Sequence, residues 1–152
     1  MPVLIFIALF ASYTVATITD LRSRHIPNLL PVLLTLFTFV HCMYKGVPLY
    51  IPLFNGAAAL LFFLSLGLFG DYLLKRKGKD GCALGGGDIK LLSATACCIG
   101  FQSALVILLF SQLGLAAWLL LQKIRGKRTA TAVPLAPFML VGLGALCLVS
   151  LI

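Results

Sequence analysis

Ile89–Leu121, IKLLSATACCIGFQSALVILLFSQLGLAAWLLL, is the stretch on which the architecture turns. Lys90 stands beside its start and no charge follows. A helix crosses the hydrocarbon core of a bilayer in roughly 20 residues. Read as one helix, the stretch is far longer than a bilayer needs. Gly100-Phe101-Gln102 offers a break, so the sequence predicts two spans, Ile89–Gly100 and Phe101–Leu121.

Outward from there, the other apolar runs separate at polar punctuation into Val3–Thr19, Leu29–Tyr44, Leu49–Gly70 and Val133–Ile152. The expectation is an all-α polytopic membrane protein, six transmembrane helices in one bundle, with residues 1–152 as a single membrane-embedded domain. Composition points the same way. Of the 152 residues 61% are hydrophobic and 11% charged, against about 25% charged in an ordinary soluble domain. A soluble chain of this size has too little interior to hide so much apolar surface, so lipid must cover it. The first run has no Lys or Arg ahead of it and therefore lacks the basic start of a secretory signal; it reads as a retained helix.

Charge orients the bundle. Arg22 and Arg24 follow the first span, Lys75, Arg76, Lys77, Lys79 and Lys90 lie between the third and fourth, and Lys123, Arg125, Lys127 and Arg128 follow the fifth. Alternate gaps thus hold eleven basic residues, against Lys45 alone on the other side. Basic short loops stay cytoplasmic, which puts both termini outside, in the inner membrane. With the fourth and fifth spans fused, the last basic loop would fall on the wrong face. The net charge of +8 is this orienting signal and no nucleic-acid footprint, which would gather on one face of a soluble domain. Cys42, Cys82, Cys97, Cys98 and Cys147 form no CxxC pair and read as small packing residues. No metal or cofactor is expected. His41, Asn55, Gln102 and Gln112 read as buried polar residues bonded between helices.

The only acids are Asp20, Asp71, Asp80 and Asp88. Asp71 and Asp80 are expected in or beside the basic loop, as solvated partners for its lysines. Asp20 closes the first span where it meets the cytoplasm and Asp88 opens the fourth where it leaves, so parity puts them on one face. An ionisable residue at the membrane boundary is costly, which makes it a candidate functional group. Two carboxylates sharing a site cannot both ionise cheaply, so one stays protonated and the pair can act as acid and base. By sequence alone the roles belong to the pair.

Asp88 ends Gly85-Gly86-Gly87-Asp88 and is followed by Lys90, while Asp20 precedes Ile26-Pro27-Asn28. These segments resemble the two signatures of the type IV prepilin peptidases, membrane aspartyl proteases with a GxGD motif. Pro134-Leu135-Ala136-Pro137-Phe138 resembles the family's Pro-aromatic-small-Pro-aromatic element, with Leu135 departing from the usual aromatic. The resemblance implies Asp20 and Asp88 as the catalytic pair, with Gly85, Gly86, Gly87, Lys90, Pro27, Asn28, Pro134 and Pro137 in support. The glycines are expected to supply backbone freedom and room for an extended substrate, Pro27 to set the start of the second helix, and Asn28 to cap it. His25 reads as an interfacial loop residue.

The implied activity is removal of the leader from prepilin-like precursors at the cytoplasmic membrane face. Such a precursor has a short polar leader and then an apolar helix, so its scissile bond lies at that boundary. Larger relatives carry an extra N-terminal region with CxxC motifs and methylate the product. This sequence has neither, so no methyl transfer is expected, and the size resembles the short peptidases of tight-adherence (Flp) pili. A non-catalytic scaffold of a pilus or secretion assembly, and a small transporter, are the competing readings. A transporter would normally place its acids near the midplane, on broken or repeated helices.

Overall fold

The structure, a computed structural model, describes residues 3–23, 26–76, 78, 84–125 and 134–151. Those residues form six α-helices: α1 (Val3–Ser23), α2 (Leu29–Lys45), α3 (Tyr50–Arg76), α4 (Gly86–Ile99), α5 (Phe101–Ile124) and α6 (Ala136–Leu151). The break foreseen in the decisive stretch is made by Gly100, whose φ of +92° and ψ of 157° separate α4 from α5. That backbone region is essentially closed to residues with a Cβ.

Helix ends depart from the apolar runs in an instructive way. α1 continues past Thr19 to Ser23 and α3 past Gly70 to Arg76. Lipid stops where the apolar run stops, but Arg22, Lys75 and Arg76 are good helix formers whose charge suits a helix C-terminus. Two expectations change with this. Asp20 lies within the last turn of α1 rather than at its end. Asp71 is a half-buried residue inside α3, not part of a solvated loop. Asp80, Arg24 and His25 fall outside the described residues. α6 begins at Ala136, between the two prolines of its opening element, because proline is tolerated in a first helical turn and not farther in.

α1, α3 and α5 are long and apolar enough to cross a membrane, and α2 and the 136–148 part of α6 are shorter apolar helices. The chain is a multi-pass membrane protein. α1, α6, α5, α4 and α2 pack in a closed ring, and α3 lies outside it against α4 and α5. α4 is the hub. Its fourteen residues cover only about 20 Å, and Leu91, Leu92, Ser93, Ala94, Thr95 and Ala96 are all buried. Neighbouring helices, not lipid, surround it. From α1, Tyr13 reaches across to α4, its hydroxyl 2.9 Å from Thr95 Oγ1. α6 comes close to α5 at Gly142, where a Cβ would sit 2.7 Å from the Ile107 carbonyl oxygen. Small residues of this kind let helices approach in lipid, where the hydrophobic effect gives no drive to pack.

The buried polar residues are Thr38, Ser93, Thr95 and Ser111, each bonded to a backbone carbonyl of its own helix. They are not the residues expected: Gln102 and Gln112 are exposed, and His41 and Asn55 are half-buried. A short hydroxyl can be satisfied inside its own helix, whereas a long amide needs a partner placed for it. Large apolar side chains such as Val40, Leu109 and Leu113 point outward, as a lipid-facing surface requires.

Candidate active site

Four segments distant in sequence converge at the ends of α1, α2, α4 and α6. Asp88 is the third residue of α4, with Gly85 at the N-cap in an extended conformation. From that position a carboxylate reaches back to the N-cap, and the Gly85 backbone N–H donates to it. The first turn of a helix cannot satisfy its own N–H groups and carries partial positive charge, so an acid is at home there. Burial works against it. Asp88 precedes the apolar span, yet it is largely enclosed, and its carboxyl is pushed up from 3.8 to about 7. Desolvation is the main cause, the charge of Asp20 adds to it, and the Gly85 hydrogen bond opposes both. Asp88 Oδ1 is buried without a hydrogen-bond partner among the described residues. An unmet oxygen of that kind costs free energy unless it is protonated or meets a ligand.

Asp20 sits on the inward side of the last turn of α1. Its Oδ2 accepts a hydrogen bond from the backbone N–H of Ala136, 3.3 Å away. Ala136 is the first residue of α6, so a second helix N-terminus points at the second carboxylate. Asp20 and Asp88 line one cavity of about 420 Å³ together with Ile26, Asn28, Gly85, Gly86, Gly87 and Lys90.

The two motif segments interlock. Lys90 Nζ donates to Asn28 Oδ1 at 2.9 Å. Asn28 occupies the N-cap position of α2 but makes no side-chain cap; its amide serves Lys90 instead, which corrects the capping role read from sequence. The glycines also act differently from the expectation. None of Gly85, Gly86 or Gly87 is among the positive-φ glycines, so backbone freedom is not their contribution. Gly85 and Gly87 are there for space: a Cβ on Gly85 would lie 2.8 Å from Asp88 Oδ2, and one on Gly87 would lie 2.9 Å from Ile26 Cβ. Gly86 faces open space.

Pro27 precedes α2 and its carbonyl accepts from Leu30 N–H at 3.2 Å. Pro134 and Pro137 are not in the cavity wall; they flank the start of α6, from which Ala136 reaches Asp20. Two contributors had no assigned role in the sequence reading. Ile26 is buried against Gly87, and Ala136 acts through its backbone. The apolar side chain in an otherwise polar loop was a signal for the first. A main-chain donor leaves no signal in side-chain chemistry.

The chain matches the Type IV leader peptidase family over residues 6–121. No curated protein matches it, and no solved structure does. The matched region includes Asp20, the 26–28 segment and the 85–90 segment, while α6 lies beyond it. With well over half of its length covered, and with two aspartates in one cavity inside that region, the chain belongs to the Type IV leader peptidase family, the prepilin-processing aspartic peptidases of the membrane.

Proposed function

We propose that this protein removes the leader peptide of prepilin-like precursors at the cytoplasmic face of the inner membrane, using Asp20 and Asp88 to activate water. The observation that supports this most is their joint position in one cavity, Asp88 in the first turn of α4 and Asp20 against the first N–H of α6. The distribution of basic residues favours both termini outside.

The environments suggest the division of labour. Asp88, enclosed and with its carboxyl raised, holds the proton. Asp20, hydrogen-bonded by the Ala136 N–H, is the carboxylate. Asp20 takes a proton from water as the water oxygen bonds to the scissile carbonyl carbon, and Asp88 gives its proton to the carbonyl oxygen. When the tetrahedral species collapses, the C–N bond breaks, Asp20 returns its proton to the leaving nitrogen, and Asp88 recovers one from the gem-diol hydroxyl. The pair ends as it began, one proton between two carboxyls. Lys90 and Asn28, joined to each other, hold the rim where the polar leader meets the apolar helix.

The test is conversion of a co-expressed full-length precursor to its shorter form, read by mass spectrometry. Asp20→Asn and Asp88→Asn should each abolish conversion with protein level and membrane insertion intact. Asp71→Asn and Asp80→Asn should retain most of it, Asp71 lying in α3 away from the cavity wall. Near wild-type conversion by either of the first pair refutes the two-aspartate mechanism and favours the scaffold reading.

A further inference from the structure

α2 and α3 are joined by residues 46–49 alone, and helices so joined usually pack side by side. Here each packs on α4 and scarcely on the other. A trough of about 600 Å³ opens between them. The face of α2 over residues 31–39 makes one wall, the face of α3 over residues 53–60 the other, and Ser93, Ala94 and Cys97 of α4 the floor.

We propose that this trough seats the apolar helix that follows the scissile bond of the precursor, and so delivers that bond to Asp20 and Asp88. The inference rests on the functional reading above and names where the substrate docks. Continuity carries it. Asn28 and Lys90 line both the catalytic cavity and the inner end of the trough. A chain lying in the trough therefore runs directly into the aspartate site.

The chemistry of the lining changes at the right place. At the inner end stand the amide of Asn28 and the ammonium of Lys90, suited to a polar leader. Along the trough the lining is apolar in effect, because its hydroxyls are already spent: Ser93 donates to the Ile89 carbonyl at 2.7 Å and Thr35 to the Pro31 carbonyl at 2.8 Å. A guest helix with no polar side chains leaves nothing unmet. The small floor residues let its backbone come close. From Lys90 to Cys97 the floor runs about 10 Å, roughly two turns of helix. Cys97 also lines the next cavity, which leads on to His41, Lys45 and Asn55 at the far ends of α2 and α3.

The experiment places a photoreactive benzoyl-phenylalanine at Leu36, Ala57 or Leu60 in the trough, and at Leu109 or Leu113 on the exposed face of α5. Each is made in the Asp88→Asn protein so that the co-expressed full-length precursor stays uncut. Trough positions should yield adducts mapping to the precursor's apolar helix at least tenfold above the α5 positions. Equal yields from both faces, or trough adducts to lipid alone, overturn the proposal. In the otherwise unaltered protein, Ala57→Trp should slow conversion of the full-length precursor at least tenfold at unchanged protein level; an unchanged rate overturns it as well. Wild-type protein that shortens no precursor, or Asp88→Asn protein that still does, refutes the catalytic reading itself. A failed trough with catalysis intact refutes only the docking.

Discussion

The carboxylate of Asp20 on α1 and the backbone N–H of Ala136 on α6 are hydrogen-bonded at 3.3 Å across 116 residues of sequence. The bond serves both partners. An α-helix cannot satisfy the N–H groups of its first turn, and α6 has two prolines around its start that narrow the choice of donors further. Asp20 supplies the acceptor, and α6 in return presents its positive end to a carboxylate in a partly enclosed site. The last helix thus takes part in a site whose other members all come from the first ninety residues.

Replacing Ala136 by proline removes that N–H at a helical position whose backbone proline suits, while its ring adds atoms at a fully buried site. A hydrogen bond to a charged group is worth about 1.5–3 kcal/mol. Ala136→Pro should therefore lower conversion of the precursor, per unit of protein in the membrane, by roughly ten- to a hundredfold. Wild-type turnover would show that Asp20 does not depend on α6.

The three glycines before Asp88 should separate sharply on substitution by alanine. Gly86→Ala meets open space and should process precursor normally. Gly85→Ala crowds Asp88 Oδ2, at the movable end of a side chain, so the protein should accumulate while turnover falls at least tenfold. Gly87→Ala meets Ile26 Cβ and should reduce protein level and thermal stability as well. Parallel western blots and conversion assays would check the order, and equal effects at all three positions would contradict the steric account.

The raised carboxyl of Asp88 gives two pH signatures. As the proton donor it should be active below about 7, with kcat/KM falling as pH rises through that value. The folded protein binds this proton more tightly than the unfolded chain, where the group titrates near 3.8. The associated stability is therefore fully present below about 3.8 and lost progressively as pH rises to about 7. Asp88→Asn cannot ionise, so its Tm in detergent should lack the decline that the wild type shows as pH rises from about 4 to about 7. Parallel Tm curves for the two proteins would place Asp88 in a solvated setting instead.

Much of this was legible in the linear chain because lipid imposes simple rules. Uncharged runs of the necessary length, and basic residues between alternate runs, imply helices and their count without reference to contacts. The Gly100 break was readable for the same reason, a glycine between two stretches that cannot fuse within a bilayer. Apolar runs report where lipid ends, however, and helices end by other rules. Arg22, Lys75 and Arg76 prolong α1 and α3 beyond the lipid, which is why Asp71 belongs to a helix and not to a loop.

By itself the sequence determined the class of protein, the six helices, and the two aspartates and flanking segments as candidates for the site. Tertiary structure alone decided how those pieces cooperate. That Asn28 serves Lys90 rather than its own helix, that Gly85 and Gly87 are needed for space, and that Ala136 holds Asp20 are all contacts between segments far apart in the chain. Periodicity and composition register a residue's exchange with water or lipid, which is a property of that residue. A hydrogen bond or a close approach depends on where a second segment lies. Here that placement comes from α4, held among α2, α3 and α5, with α6 closing the ring against α1.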